Sequence, residues 1–196
     1  MDFTTTIQGH ELEFLESGHI YLVDGIIVPS ITQMLKVRFG NKYDGISQRT
    51  LDNAAQKGTE MHEAVQNWCE RSEDSDLPEV RNFRFLLKQY KLTVMRNEFP
   101  VILFDGREPM AAGRIDLLLA TEHGEPVLGD LKRTSTLDKD YLTYQLNLYA
   151  KAYWQSYDNA VTGLVGFHLR DDRRKLVPIP LNEEYANEII NEWKKE

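Results

Sequence analysis

The sequence predicts a mixed α/β (α+β) domain, with a central mixed β-sheet flanked by helices and, before it, an N-terminal β-hairpin and helical segment. Three observations predict this. An early stretch alternates polar and apolar residues on either side of an Asp24-Gly25 turn. Apolar residues then recur at helical spacing up to Tyr90. Beyond them come three β-type runs, a long helical stretch, two further strands and a closing helix.

Taken in order, His10 to Leu15 alternates, and Ile20-Tyr21-Leu22-Val23 leads through Asp24-Gly25 into a return strand, Ile26-Ile27-Val28. Ser30, after Pro29, is placed to cap a short helix through Leu35. Val37 to Gly45 holds two glycines and no clear period, which predicts a loop. Helix is predicted from Ser47 to Gln56; Gly58 interrupts it, and Thr59 caps a second helix to Glu70. The polar stretch Arg71 to Pro78 reads as a connection, and Val80, Phe83, Leu86, Leu87 and Tyr90 mark a helix over Glu79 to Leu92. Thr93 to Phe104, Ala111 to Ala120 and Pro126 to Lys132 read as strands joined at Asp105-Gly106 and His123-Gly124. A helix from Asp138 to Tyr157 follows, then strands Val161 to Leu169 and Lys175 to Ile179 across Asp171-Asp172, and a helix from Asn182 onward. No repeat or linker divides the chain. It reads as one domain over 1–196, with 1–45 an N-terminal extension and 46–196 the core.

At 196 residues, 41% hydrophobic and 28% charged, the composition is that of an ordinary globular protein with a sizeable core. No apolar run approaches the roughly 18 residues of a membrane span. The start, MDFTTTIQGHELEF, has neither the basic residues nor the apolar stretch of a secretory signal. The one cysteine, Cys69, excludes an internal disulfide and a four-cysteine cluster supplied by this chain alone. A cytoplasmic location without membrane association is the expectation. The net charge of −8 argues against a large non-specific footprint on nucleic acid. A site that collects divalent cations nevertheless needs carboxylates, and a total does not report distribution. Basic residues gather at Lys132-Arg133 and at Arg170 with Arg173-Arg174-Lys175, the latter reading as a solvated turn.

The chemistry centres on Gly113-Arg114-Ile115-Asp116 and Gly129-Asp130-Leu131-Lys132. Each aspartate lies in an otherwise apolar strand, where an unpaired carboxylate is costly to bury. Residues two apart on a strand share a face, so Asp130 and Lys132 point together while Leu131 points to the core. If the two strands form a hairpin, Asp116 stands near Asp130, and the Leu131 carbonyl completes an oxygen-rich pocket suited to Mg²⁺ or Mn²⁺. His62, beside Met61, Val65 and Trp68, reads either as a hydrogen-bonded boundary histidine or as a ligand. Glu98, near Pro100, reads equally as a solvent-facing or a site residue. Gln145 and Tyr149 share a helix whose stripe is Leu142, Leu146, Tyr149 and Tyr153, so they are ordinary helix surface and core, or supports of the site in which Gln145 fixes the catalytic strand or a metal water and Tyr149 contacts site or DNA. Arg133 reads as a phosphate contact or an ordinary surface arginine. His10, His19, His123 and His168 have no spacing that suggests a second metal site.

The spacing of Asp116, Asp130 and Lys132 resembles the signature of the PD-(D/E)XK nuclease superfamily, with Asp130-Leu131-Lys132 as its (D/E)XK element. Gln145 and Tyr149 resemble the QxxxY element of the RecB-like and phage-type exonuclease branch, and Gly58 to His62 resembles its GxxxH element. Gly18-His19-Ile20-Tyr21 and Val28-Pro29-Ser30-Ile31-Thr32 are similar to stretches of phage-encoded members. The resemblance implies a restriction-endonuclease-like core and a Mg²⁺ or Mn²⁺ site formed by His62, Asp116, Asp130 and the Leu131 carbonyl. It implies catalysis by Asp116, Asp130 and Lys132, with Glu98 on the preceding strand and Gln145 and Tyr149 in support. Ile115 stands where the signature has proline, and the cysteines of cluster-bearing relatives are missing, so no iron–sulfur cluster is expected. There is no GxxxxGK[ST] phosphate loop, which leaves any motor to a partner. The expected function is a metal-dependent DNA exonuclease serving recombination or end processing, with DNA as its partner and a recombination or single-strand-binding protein as a candidate second one. An endonuclease of the same fold and a non-catalytic nucleic-acid- or protein-binding module are the alternatives.

Overall fold

The computed structural model describes residues 2–40, 47–171 and 173–196. Strands β1 (Phe3–Ile7), β2 (His10–Leu15), β3 (Ile20–Val23) and β4 (Ile26–Val28) form an antiparallel sheet in chain order. The predicted hairpin is thus the second half of a four-stranded sheet. Two-residue turns at Gln8-Gly9 and Asp24-Gly25 place both central residues at positive φ (53° and 85°, 52° and 78°), which matches the twist of the flanking strands. β1 carries apolar residues only at its ends, and its pairing from Phe3↔Phe14 to Ile7↔His10 is set by β2 rather than by a pattern of its own.

Ser30 caps α1 (Ile31–Met34) as expected: its hydroxyl accepts from the Gln33 N–H, and the Gln33 side chain accepts from the Ser30 N–H. A second helical turn, α2 (Lys36–Phe39), follows. The loop expected over Val37 to Gly45 therefore begins later than the sequence suggests. Arg38 stabilises this turn by pairing with Glu188 and Glu192 and by lying over the Tyr144 ring. The rest of that expectation, residues 41–46, lies outside the described residues, as does Asp172 of the expected Asp171-Asp172 turn.

One helix of 24 residues, α3 (Gln48–Arg71), replaces the two expected on either side of Gly58. A lone helical glycine costs only about 1 kcal/mol. Here the Gln56 side chain donates to Glu60 across that position at 2.9 Å, and good helix formers flank it. Helix α4 (Pro78–Tyr90) starts with proline in its first turn, where the missing N–H costs nothing.

The second sheet contains β5 (Thr93–Asp105), β6 (Glu108–Ala120), β7 (Pro126–Lys132), β8 (Gly163–Arg170) and β9 (Arg173–Ile179), in that spatial order. All neighbours are antiparallel except β7 and β8, which the helix α5 (Lys139–Tyr157) joins as a crossover. Helix α6 (Glu183–Trp193) ends the described structure apart from three residues. On one face, Leu142 and Leu146 of α5 and Ile189 of α6 pack on Val101, Leu103, Leu128 and Leu164. On the other, Met61 and Val65 of α3 and Phe83 of α4 cover Leu117, Leu119, Leu131 and Phe167. The N-terminal sheet covers the same face farther along, with Leu12, Phe14 and Tyr21 over Ile102, Phe104 and Ala112. The fold is mixed α/β, a mixed sheet between helices, as the sequence predicts. Among the described residues no helix is long and apolar enough to cross a membrane.

Candidate active site

The β6–β7 ladder runs from Ala120↔Pro126 to Leu117↔Gly129 and stops there. Asp116 and Asp130 are the next residues on the two strands. The Leu131 N–H, left without a β6 carbonyl, donates instead to Asp116 Oδ2 at 2.7 Å. At the same point β6 changes face: Ile115 packs on the α5 side, whereas Leu117, two residues on, packs on the α3 side. Regular alternation would place both on one side. Across on β5, between the pairs Asn97↔Leu117 and Phe99↔Ile115, Glu98 has φ +46°. Such backbone in a non-glycine residue costs roughly 1 kcal/mol or more and persists only where the surroundings impose it.

The surroundings here are charged. His62, on α3, lies 3.3 Å from Glu98 Oε1 through Nδ1, and through Nε2 it lies 3.2 Å from the Leu131 carbonyl and 3.9 Å from Asp116 Oδ2. One donor atom each from His62, Glu98 and Asp116 falls within 4.8 Å of the others. That span is close to twice a metal–ligand distance of about 2.0–2.2 Å, so these three side chains can hold a metal ion. Burial works against a charged imidazole, but Asp116, the hydrogen bond to Glu98 and the charges of Glu98 and Asp130 outweigh it and carry the His62 pKa to about 9. Both ring nitrogens then donate, and the imidazolium balances the carboxylates. Burial raises the Asp116 pKa and Glu98 adds to the effect, against the opposing pull of His62, Lys132 and the Leu131 N–H.

Asp130 stands beside this group rather than in it. Its side chain is only 5% exposed; Lys132 Nζ donates to Oδ1 at 2.9 Å and lies 2.7 Å from Oδ2, and Gln145 Nε2 donates to Oδ1 at 2.8 Å. Burial pushes the Asp130 pKa to about 6, with Lys132 opposing and Asp116 reinforcing the shift. Burial lowers the Lys132 pKa, but Asp130 and Asp116 more than reverse this and leave it above the ordinary value. Gln145 Oε1 is buried without a hydrogen-bond partner, while Asp130 Oδ2 has the Lys132 ammonium beside it. Buried polar atoms are usually satisfied, so the unpartnered amide oxygen beside the Asp130–Lys132 pair leaves acceptor capacity at this point.

Helix α5 is held close to the sheet at two glycines. A Cβ on Gly166 would come within 2.5 Å of Leu142, and one on Gly113 within 2.8 Å of the Tyr149 ring. Tyr149 is therefore a packing residue against β6, and Gln145, one turn earlier, is the α5 residue that reaches the site. The predicted stripe of Leu142, Leu146, Tyr149 and Tyr153 is buried in the core.

Arg114 is the participant that sequence reasoning missed. Its Nε lies 2.8 Å from Glu98 Oε2, and its guanidinium sits 5.2 Å from the centre of the Phe14 ring, on the N-terminal sheet. Its place beside Asp116 in β6 was the available signal, but its partners lie elsewhere in the chain. Arg133, in contrast, is not free for phosphate: it donates to Glu79 at 2.7 Å and to Asp171 at 2.9 Å. His168 lies 2.7 Å from the Thr134 carbonyl and His10 the same distance from Asp24. Among the described residues neither forms a second metal-binding group.

No family model matches the chain, and no curated protein matches it either. Among solved structures, one described as "Crystal structure of SSO0001" is similar at 14% identity, over 86% of this chain and 75% of that one, with a TM-score of 0.49.

Proposed function

We propose that this protein is a divalent-metal-dependent nuclease that hydrolyses phosphodiester bonds in DNA, acting as an exonuclease. The observation that carries the reading is the convergence of His62, Glu98 and Asp116 beside the Asp130–Lys132 pair. Two carboxylates, an imidazole and a nearby main-chain carbonyl suit Mg²⁺ or Mn²⁺, and the Asp130 carboxylate stands beside them paired with Lys132. The ion, when bound, polarises the scissile phosphate and lowers the pKa of the attacking water.

The chain's own groups supply the rest. Lys132 carries three donors and spends one on Asp130, which leaves others for the water or a phosphate oxygen. Gln145 fixes Asp130, and Arg114 fixes the distal oxygen of Glu98. Charge supports an anionic substrate. The carboxylates of Glu98, Asp116 and Asp130 face the cations of His62, Arg114 and Lys132, three against three. Exchanging the His62 proton for a divalent ion leaves one positive charge in surplus, which a phosphodiester neutralises. Action from ends rests on the likeness of Gly58 to His62 and of Gln145 with Tyr149 to phage-type exonucleases. A reducing cytoplasm suits Cys69, whose thiol is pushed up to about 11 by burial and by Glu70.

The test is incubation of end-labelled linear and closed circular DNA with Mg²⁺, Mn²⁺ or EDTA, alongside Asp130→Ala and Lys132→Ala. Metal-dependent loss of linear DNA alone, abolished in both variants, is the expected result. Cutting of circles changes the class to endonuclease. DNA binding without cutting makes the protein a binding module, and full activity in both variants moves the site elsewhere.

A further inference from the structure

Between β1 and the Glu98 side of the site lies a cavity of about 540 Å³, which the reading above leaves unused. Thr5, Gln66, Arg96, Tyr157, Glu98 and Arg114 are among its walls. Its size falls within the range of ligand sites, about 300–1,000 Å³. Three features indicate what it takes. The cavity is continuous with the metal-binding group, because Glu98 lines it and also faces His62. The Arg96 guanidinium lies over two rings, 5.2 Å from the centre of Phe99 and 5.6 Å from that of Tyr157. Among the described residues no carboxylate pairs with Arg96; aromatic contacts and a hydrogen bond to the Tyr157 side chain hold the guanidinium, whose five N–H donors are more than that bond uses. Finally, β1 is the outer strand of its sheet, so that wall carries backbone N–H groups outside the ladder, as well as threonine hydroxyls.

We propose that this cavity seats the phosphate next to the cleaved bond on a single nucleic-acid strand, with Arg96 as its ligand. The proposal rests on the nuclease reading and extends it from the reacting phosphate to the strand beside it. A metal-loaded site with surplus positive charge, continued by Arg96, gives the strand an electropositive path in a protein of net charge −8. The guanidinium's planar fork matches two phosphate oxygens, which an ammonium cannot do.

The experiment measures binding of a short fluorescent single-stranded oligonucleotide with Ca²⁺ in place of Mg²⁺, between 50 and 200 mM salt (roughly the range over which phosphate contacts are lost). Arg96→Ala should weaken binding about tenfold and flatten the slope of log K against log salt by about 0.7, the share of one single-strand phosphate. Arg96→Lys should keep the slope and recover only part of the affinity. Thr4→Glu, at an exposed position on the β1 wall, should weaken binding without removing any contact of the fold. Unaltered affinity in Arg96→Ala, or lost affinity at an unaltered slope, would overturn the proposal. If the wild type cuts DNA and Arg96→Ala binds as well as it does, the cavity assignment fails alone. If the wild type neither cuts nor binds nucleic acid, both readings fail. Displacement of the oligonucleotide by a polyglutamate peptide as readily as by unlabelled strand would reassign the cavity to an acidic peptide.

Discussion

Two clusters of buried charge meet at the end of β7, one through Lys132 and the other through its neighbour Arg133. The Arg133 cluster is closed. Glu79, 2% exposed, accepts from Arg133 and from the Asp171 N–H; Arg133 also reaches the Asp171 carboxylate, and Asn82 donates to the Asp171 carbonyl. The Lys132 cluster is left open, with an unpartnered Gln145 oxygen, a strained Glu98 backbone and an imidazolium among carboxylates. Buried charge that is fully matched ties elements together; here it ties α4 to the β8–β9 turn. A cluster that keeps a strained backbone and an unpartnered polar atom is not arranged for stability alone, and its cost is borne by the rest of the fold.

The largest test of this contrast is Lys132→Ala, which should lower cleavage by about 10²–10³-fold in single-turnover assays while the fold persists. Equal loss of stability and activity would make the Lys132 cluster structural, like its neighbour. Glu79→Ala should do the opposite: it strands Arg133 and costs about 3 kcal/mol in urea unfolding, while the folded fraction retains its metal affinity. Arg114→Gln falls between these, weakening Mn²⁺ binding in calorimetry about tenfold by freeing Glu98, as loss of a ligand's support typically does. Arg114→Lys should restore part of it.

The next effect is one of pH. The His62 pKa of about 9 lies above its ordinary 6.5, so at pH 7 the metal-free site holds a proton that a ligand-binding ion must displace. Apparent Mn²⁺ affinity should climb about tenfold per pH unit below that pKa and level off above it, with one proton released into the buffer. No proton release would mean that His62 is not a ligand. The smallest test is Gly58→Ala. Space is open around that position, and α3 should gain about 0.5–1 kcal/mol. A loss would show that the helix carrying His62 needs a break at Gly58.

Asp116, Asp130 and Lys132 could be found in the sequence because a carboxylate in an apolar strand is conspicuous, and period two shows which neighbours share a face. The helical stripe on α5 was equally legible, although the buried place of Gln145, outside that stripe, was not. Nor was Glu98. Its position depends on a left-handed backbone and on standing across from Asp116 where the strands separate, and neither leaves a local pattern. Arg114 lies beside a predicted residue, yet its supports come from Phe14, 100 residues earlier, and Glu98, on the strand before. β1 escaped notice because its pairing, not its composition, makes it a strand. Gly58 misled in the other direction, since a local breaker is overruled by the helix around it.

Phe14 beneath Arg114 has one further consequence. The donors come from α3, β5, β6 and β7, and their props from β2 and α5, so no contiguous piece shorter than residues 14–145 holds the full set. Contacts this distant in sequence form only as the chain completes its tertiary structure. An ion bound there would therefore be a thermodynamic witness to the whole fold. At 100 times its dissociation constant it stabilises the native state by about 2.7 kcal/mol, and an intermediate lacking the N-terminal sheet receives a smaller share. Divalent cation in a refolding mixture should thus favour the finished molecule over its partly folded precursors, whatever the protein later does with the ion.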